Sequence, residues 1–287
     1  MAEPVTVALF PGQGSLTPAA REAVAEHRPD LLERVCALVG EDPFERAGES
    51  TRFAQPAIFC ASLAGWGSVD QRELLAVTGH SLGELTALAA AGALDEGDAL
   101  ELVVLRGRLM DEAAAGGAPG GMLAVLGSTP EAAGDLAAEH GVAVANDNAP
   151  GQVVLSGDRD RLKEAARAAR ERGVRTMRLD VAGAFHSPAM APAETPFLDV
   201  LRTVDVHEPR IPVCSSSSPG LFADVPLQLA RALTRPVRFR ETVEALHRFG
   251  ATRFVDVGPG DVLARLVTRI LPAATVVTLE DLHGLAA

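Results

Sequence analysis

The order of apolar and polar segments along the chain predicts a sheet covered by helices. Apolar runs at residues 5–10 and 74–77 are typical of buried strands. Between them lies a helical segment at residues 55–66 that is apolar on all sides, which indicates a buried helix. The alternation resumes near the end of the chain with a strand at residues 253–257 and a helix at 262–270. This pattern predicts an α/β main domain with a mostly parallel sheet.

The middle of the chain follows a different pattern, which begins after a glycine-rich, linker-like stretch. The predicted order of elements over residues 122–179 is strand, helix, strand, strand, helix, strand. A turn is expected over residues 146–151, which contain asparagine, aspartate, proline and glycine. This order is the signature of a ferredoxin-like fold. We therefore predict a ferredoxin-like subdomain at residues 118–183, inserted into a large domain formed by residues 1–117 and 184–287.

The stretch Thr78-Gly79-His80-Ser81-Leu82-Gly83-Glu84 joins a predicted strand to a predicted helix at residues 82–91. Gly79 and Gly83 flank Ser81 at two-residue spacing, which allows a tight turn that exposes the serine. At a helix N-terminus the serine oxygen would lie beside unpaired backbone N–H groups, which favour a developing oxyanion. One interpretation is a nucleophile elbow, and the other is a glycine-rich turn in which Ser81 only caps the helix. The stretch alone does not decide between them.

Three further positions carry candidate chemistry, and each has a structural alternative. Gln13 stands between two glycines after the first strand, where it could reach into a site or belong to an ordinary turn. Arg106 lies within the apolar surface of a helix predicted at residues 95–115, so its guanidinium needs an anion. Periodicity favours a structural carboxylate over a substrate carboxylate as that anion. His186 lies in a loop where the two predicted domains meet, a common place for sites, although a loop histidine is more often structural.

Composition and charge restrict the possible partners and surroundings. The 287 residues are 47% hydrophobic and carry a formal net charge of −12, which argues against nucleic acid and anionic membranes as partners. The first residues lack the pattern of a signal peptide, and no apolar run approaches the roughly 20 residues that a membrane span needs. The expected location is therefore the cytoplasm.

Cysteine and histidine positions indicate neither a disulfide nor a metal site. Cys36, Cys60 and Cys214 are scattered without metal-ligand spacing, which fits a reducing compartment. The seven histidines do not pair with cysteines or carboxylates at ligand spacing, so we expect no metal. The turn Gly258-Pro259-Gly260 lacks the spacing of a phosphate loop, and no nucleotide is implied.

Six short motifs follow one another in an order that is typical of one enzyme family. They are Pro11-Gly12-Gln13-Gly14-Ser15, Gly79-His80-Ser81-Leu82-Gly83-Glu84, Leu105-Arg106-Gly107, Asn148-x-Pro150-Gly151-Gln152, Phe185-His186-Ser187 and Val257-Gly258-Pro259-Gly260. In their order and spacing the chain resembles the malonyl-CoA:acyl carrier protein transacylases and the related acyltransferase domains of polyketide synthases. The likeness extends from about Val5 to Ile270. It implies an α/β-hydrolase-like large domain with an inserted ferredoxin-like subdomain.

The resemblance implies a role for each matching residue of the site. Ser81 would be the nucleophile that accepts the acyl group, and His186 would be the general base. A backbone carbonyl, instead of an acidic residue, would orient this histidine. The N–H groups of Gln13 and Leu82 would form the oxyanion hole. Arg106 would bind the free carboxylate of a malonyl group, in place of the structural partner that periodicity favours.

Further residues qualify the resemblance. Phe185 and His80 would contact the substrate, and a phenylalanine before the histidine is typical of malonyl-selective relatives. Relatives often carry a glutamine near the histidine at the position of Ala232, and a lysine at the position of Asp261.

The implied reaction moves a malonyl group from coenzyme A, through an ester on serine, to the phosphopantetheine thiol of an acyl carrier protein, in fatty-acid or polyketide synthesis. No cofactor would be bound, because the coenzyme A thioester is a substrate and the phosphopantetheine belongs to the partner. Four arginines within ten residues could dock the acidic carrier protein or form an ordinary solvated surface. They are Arg231, Arg235, Arg238 and Arg240. Nothing in the sequence requires more than a monomer.

Several other functions are compatible with parts of the pattern. Lipases and esterases share the elbow, but their order is serine, acid, histidine, and no ferredoxin-like insertion is expected in them. An editing hydrolase of the same fold would pass the acyl group to water, although Arg106 favours an acyl group with a free carboxylate. A docking module without catalysis would not need both Ser81 and His186. A transferase for an unusual acyl group is a further alternative.

Overall fold

The computed structural model describes residues 4–285, whose strands form a six-stranded and a four-stranded sheet. The strands are β1 (Thr6–Phe10), β2 (Leu74–Gly79), β3 (Gly120–Leu126), β4 (Ala143–Ala149), β5 (Gln152–Asp158), β6 (Arg175–Arg178), β7 (Val213–Ser215), β8 (Gly220–Leu221), β9 (Arg253–Asp256) and β10 (Thr275–Thr278). The helices are α1 (Ala20–His27), α2 (Pro29–Val39), α3 (Thr51–Trp66), α4 (Gly83–Ala90), α5 (Glu96–Gly116), α6 (Pro130–Glu139), α7 (Arg159–Glu171), α8 (Ala191–Leu201), α9 (Val225–Arg231), α10 (Phe239–Arg248), α11 (Val262–Ile270) and α12 (Leu279–Leu285).

The six-stranded sheet is mostly parallel, which confirms the predicted α/β architecture. Its strand order is β10-β9-β1-β2-β7-β8, and only the edge pair β7 and β8 is antiparallel. Residues 7–10 of the central strand β1 are buried, as expected for a parallel sheet with both faces covered. Phe10 pairs with Gly79, so β1 and β2 end side by side. The loop of Gln13 and the turn of Ser81 therefore start at the same edge of the sheet.

The four-stranded sheet is antiparallel and has the predicted element order β3-α6-β4-β5-α7-β6, with strand order β4-β5-β3-β6. Alternate residues of its central strands face opposite sides. Leu123, Val125 and Leu155 join a small core with α6 and α7. Met122 and Val154 join the main core. The sheet is thus covered by its own helices on one face and packs against the main core with the other.

Strand β4 corrects one prediction from the sequence. Residues 146–151 were expected to form a turn, but β4 continues to Ala149 before the chain turns. The strand continues because a second segment pairs with it: the Asp147 N–H donates to the Val237 carbonyl and the Val237 N–H donates to the Ala145 carbonyl, both at 2.8 Å. We call this contact the seam. Arg240 binds the Asp147 carboxylate there, so polar residues that suggested a turn are satisfied inside a strand.

Two other boundaries differ from the pattern in the sequence. Helix α3 begins at Thr51, about one turn earlier than the apolar run suggested, because the Ser50 hydroxyl caps it by accepting from the Arg52 N–H. Strand β8 has two residues and was not predicted.

Among the helices formed by residues 4–285, none has the combination of length and apolar character required to cross a bilayer.

Candidate active site

The turn between β2 and α4 places Ser81 in a conformation that residues other than glycine rarely adopt. Ser81 has a φ of 55°. The flanking glycines permit the turn through close backbone contacts. A Cβ on Gly79 would lie 1.9 Å from the Gly83 carbonyl carbon, and a Cβ on Gly83 would lie 1.9 Å from the Phe10 oxygen. The glycine spacing that suggested an elbow in the sequence is therefore a steric requirement of the fold.

The serine hydroxyl contacts a buried histidine. Ser81 Oγ lies 2.8 Å from Nε2 of His186. His186 Nδ1 lies 2.8 Å from the carbonyl oxygen of Ala232 and 3.1 Å from that of Arg235. Because both oxygens only accept, Nδ1 carries the hydrogen, and Nε2 offers a lone pair to the Ser81 hydroxyl. The orienting group at position 232 is a backbone carbonyl, so this contact does not depend on the side chain at that position.

The backbone of His186 is strained, as is that of Ser81. Its side chain also lies where a positive charge is unfavourable. Its φ is also 55°, and within residues 4–285 Ser81 and His186 are the non-glycine residues with positive φ. Each such conformation costs roughly 1–3 kcal/mol and persists where the surroundings enforce it. Burial, followed by the nearby charge of Arg106, lowers the pKa of His186 to about 3. The imidazole is therefore neutral at physiological pH.

Arg106 of α5 points into the same site and is held by neutral groups. Its side chain is buried, with 3% of the residue exposed. Nη1 donates to Oε1 of Gln55 at 2.6 Å, and Nη2 donates to Ser81 Oγ at 3.2 Å. Within residues 4–285 no carboxylate lies at ion-pairing distance from this guanidinium. Burial lowers the pKa of Arg106 to about 10, while the charge of Glu84 acts in the opposite direction.

Gln55 is the residue of this site that the sequence did not reveal. It lies on α3, is 2% exposed, and donates from Nε2 to the Thr51 hydroxyl at 2.8 Å and to the Met110 sulfur at 3.3 Å. These bonds orient its carbonyl oxygen toward Arg106. The signal was a polar residue at the start of a helix that is otherwise apolar on all sides, which needs a polar partner in the interior.

Glu84 fixes the helix that follows the elbow. Its buried carboxylate accepts from the Ser215 hydroxyl at 2.8 Å, the Ser216 N–H at 2.6 Å and the Ser217 N–H at 3.1 Å. Burial raises the pKa of this carboxyl, and the hydrogen bonds oppose that change. The contacts tie α4 to the loop after β7, so the elbow is supported from the neighbouring strand.

His80 and Phe185 lie next to the serine and the histidine in the chain and also reach the site. His80 Nε2 lies 2.8 Å from Oδ1 of Asn148 on β4, and its ring packs against Phe239 with the centroids 5.6 Å apart. Burial lowers the pKa of His80. Phe185 is 6% exposed. The His80–Asn148 bond therefore links the elbow to the smaller sheet.

A single cavity of about 530 Å³ brings together the residues that the sequence suggested for catalysis and substrate binding. Gln13, His80, Ser81, Leu82, Arg106, Phe185 and His186 all line it. Among residues 4–285, no group accepts a hydrogen bond from the N–H of Gln13 or of Leu82. Both residues line the cavity together with Ser81.

The four arginines suggested for docking lie outside this cavity and differ among themselves. Arg231 and Arg235 are exposed. Arg238 is bound by Glu241, and Arg240 is bound by Asp147 at 2.7 Å and by Glu244 at 3.2 Å. The charge that this segment can present to a partner is therefore smaller than the sequence suggested.

The chemistry available in the cavity does not include a recognisable metal centre. Within the described part of the chain, no three histidine, cysteine or acidic side chains are grouped so that they could hold a metal ion. Cys36, Cys60 and Cys214 are free thiols.

A serine that shares a hydrogen bond with a buried histidine, beside two free N–H groups, is the arrangement of enzymes that carry an acyl group on serine. The sequence profile described as the acyl transferase domain matches residues 19–284. A malonyl CoA-acyl carrier protein transacylase of Bacillus subtilis is 36% identical over 295 aligned residues, which cover 95% of this chain and 92% of that protein. The chain belongs to the acyl transferase family, and the protein is an acyltransferase.

Solved structures with this fold are similar over almost the whole chain. A malonyl-CoA:acyl carrier protein transacylase of Xanthomonas oryzae has a TM-score of 0.90 at 32% identity, covering 99% of this chain and 98% of that one. A chain in the structure of a type II polyketide synthase acyl-carrier protein in complex with its malonyl-transacylase is also similar. Its TM-score is 0.87 at 29% identity, and the match covers 96% of this chain and 94% of that one. These similarities support the fold that the sequence predicted, a large α/β domain with a ferredoxin-like addition.

Proposed function

We propose that this protein transfers a malonyl group from coenzyme A to the phosphopantetheine thiol of an acyl carrier protein. The observation that carries this proposal is the position of Arg106, whose Nη2 lies 3.2 Å from Ser81 Oγ. In a malonyl group one methylene separates the thioester carbonyl from the carboxylate. A guanidinium this close to the nucleophile can therefore pair with the carboxylate of a short dicarboxylic acyl group while the serine attacks its carbonyl.

The first half-reaction uses Ser81 and His186. Ser81 Oγ attacks the thioester carbonyl carbon, and its proton passes to His186 Nε2 as the new C–O bond forms. The oxyanion of the tetrahedral intermediate accepts from the N–H groups of Gln13 and Leu82. The C–S bond then breaks, and the coenzyme A sulfur takes the proton from His186. The product is a malonyl ester on Ser81.

The second half-reaction repeats these steps with a different thiol. The phosphopantetheine thiol gives its proton to His186 and attacks the ester carbonyl. The ester C–O bond breaks, Ser81 regains the proton from His186, and the malonyl thioester leaves on the carrier protein. Phe185 and His80 line the same cavity and can contact the acyl group. Arg231 and Arg235, as exposed cations, are the members of the arginine cluster best suited to contact the acidic partner.

Intact-mass measurement after incubation with malonyl-CoA tests the proposal. We expect a malonyl adduct on the wild-type protein, no adduct on Ser81→Ala, and loss of the adduct when holo carrier protein is added. Release of free malonate at the same rate with and without carrier protein would instead identify an editing hydrolase. An equal yield of adduct from acetyl-CoA would contradict the role of Arg106.

A further inference from the structure

Arg106 and the base meet at one oxygen atom. Arg106 Nη2 lies 3.2 Å from Ser81 Oγ, and His186 Nε2 lies 2.8 Å from the same atom. Both side chains are buried, with 3% and 4% of the residues exposed. Because both side chains contact the same oxygen in a poorly solvated site, the positive charge of Arg106 disfavours a second positive charge on the imidazole of His186. The arginine therefore acts on the base as well as on any bound carboxylate.

Among the described residues, 4–285, no carboxylate pairs with this charge at close range. The two acceptors of Arg106 are the amide oxygen of Gln55 and the hydroxyl of Ser81, and both are neutral. Glu84 acts on Arg106 from α4, but it is already bound by the serines after β7.

The other groups around His186 do not replace a counterion. Within residues 4–285, His80 of the elbow acts in the same direction as Arg106, and Ala232 and Arg235 contribute backbone carbonyl oxygens. A carboxylate on the substrate is thus the group that can neutralise Arg106 at close range.

We propose that the substrate carboxylate activates the base: Arg106, held by the neutral amide of Gln55, hinders proton transfer to His186 until a carboxylate on the acyl group pairs with it. Gln55 is then a positioning residue that keeps the charge of Arg106 available. This inference rests on the proposed malonyl transfer and adds to it. A purely binding role of Arg106 would change KM, whereas this role also changes the rate at saturation.

The effect falls on a defined step of the reaction. As the bond between Ser81 Oγ and the acyl carbon forms, the Ser81 proton moves to His186 Nε2 and an imidazolium is created. With a malonyl group the imidazolium forms beside an ion pair of Arg106 and carboxylate. With an acetyl group it forms beside an uncompensated guanidinium. Acetyl transfer is therefore slowed in the chemical step itself, even when the site is saturated.

Two substitutions at Gln55 separate charge from position. Gln55→Glu places a carboxylate of the same shape against Arg106, so we expect the saturating rate of Ser81 acylation by acetyl-CoA to rise by about tenfold, because a stronger base accepts the proton more readily. The KM for malonyl-CoA should rise in the same variant, since the guanidinium is already paired. Gln55→Leu removes the acceptor but leaves the charge, and we expect no gain in the acetyl rate.

The pH dependence provides a second readout. A carboxylate beside Arg106 raises the pKa of His186, so the acid limb of the saturating rate should move to higher pH. In the wild type this limb should lie at higher pH for malonyl-CoA than for acetyl-CoA. In Gln55→Glu the acid limb measured with acetyl-CoA should move to higher pH, toward the limb measured with malonyl-CoA. Rates are measured by quenched single turnover and mass spectrometry, after circular dichroism has established that each variant is folded.

Equal effects of Gln55→Glu and Gln55→Leu on the acetyl rate, or identical acid limbs for the two substrates in the wild type, would overturn the inference. If Gln55→Glu does not fold, Arg106→Gln decides: a higher saturating acetyl rate supports the inference, and an unchanged or lower rate contradicts it. Failure of the proposed function would be recognised by a different result, the absence of a malonyl ester on Ser81 in the wild-type protein.

Discussion

Two arginines, Arg106 buried in the cavity and Arg240 half-buried at the seam, are held in opposite ways. Arg240 contacts the carboxylates of Asp147 and Glu244, so its charge is compensated inside the protein. Arg106 contacts an amide oxygen and a hydroxyl, so its charge is not. Under the proposed function the charge of Arg106 stays available to a substrate carboxylate, whereas the charge of Arg240 is already paired within the protein. The difference can be tested, because replacing Arg106 should mainly affect activity and replacing Arg240 should mainly affect stability.

The largest expected effect is on activity when Arg106 is replaced. Arg106→Ala should lower kcat/KM for acylation of Ser81 by malonyl-CoA by roughly 100- to 1000-fold, the equivalent of two charge-assisted hydrogen bonds. The free energy of unfolding should stay the same or rise, because an uncompensated buried charge is removed. Single-turnover kinetics and urea titration measure the two quantities. A large loss of stability in this variant would contradict the distinction between the two arginines.

Arg240→Ala should show the reverse pattern. It leaves the Asp147 carboxylate, whose side chain is 11% exposed, without its partner, so the free energy of unfolding should fall by about 2–4 kcal/mol. Acylation of Ser81 per folded molecule should stay within about threefold of the wild type. The matched control is the double variant Arg240→Ala, Asp147→Ala, in which no charge is stranded and stability should partly recover. A malonyl rate that falls as far as in Arg106→Ala would refute the comparison.

Acid should destabilise the protein because burial, followed by the charge of Arg106, opposes protonation of His186 in the folded state. The pKa of His186 is about 3 in the folded protein and about 6.5 in an unfolded chain. The unfolded state therefore binds more protons between these values, and stability is lost as the pH falls below about 6.5. His186→Asn should reduce this loss by up to about 1.4 kcal/mol for each pH unit, while His80 contributes to both proteins. Urea titrations at pH 7 and 5 measure the difference, and equal slopes would contradict the expectation.

The smallest expected effect concerns exposed charge. Arg235→Glu should raise the KM for holo carrier protein by about three- to tenfold at low salt and much less at high salt, because exposed charges are screened. Acylation by malonyl-CoA alone should not change. Arg202→Glu, an exposed arginine after α8 that does not line the cavity, is the matched control. If both variants raise KM equally, the effect is one of net charge and not of a docking surface.

The elbow and the layout of the sheets could be predicted because local rules determine them. Gly79 and Gly83 are required by backbone contacts that their spacing already suggested. The two helices of the smaller sheet begin at side-chain caps, because the Thr129 hydroxyl accepts from the Ala132 N–H and the Asp158 carboxylate accepts from the Asp160 and Arg161 N–H groups. In each case the residues that signal the element also form it.

Contacts between distant segments could not be predicted in this way. Periodicity alone favoured a carboxylate as the partner of Arg106, but the partner inside the protein is Gln55, which is 51 residues away in the chain. The polar residues of β4 suggested a turn because their partners, among them Val237 and Arg240, come from a segment about 90 residues later. Neither partner can be identified until the fold brings the segments together.

The orientation of His186 by carbonyl oxygens has a consequence for how the protein tolerates genetic variation. Side-chain substitutions at positions 232 and 235 leave a carbonyl in the backbone, so no single missense change there deletes the acceptor itself. The buried position of Ala232 restricts the size of its replacements, and Arg235 is open to solvent. A saturation scan should therefore find many active variants at position 235 and few at position 186, although the two residues share one hydrogen bond.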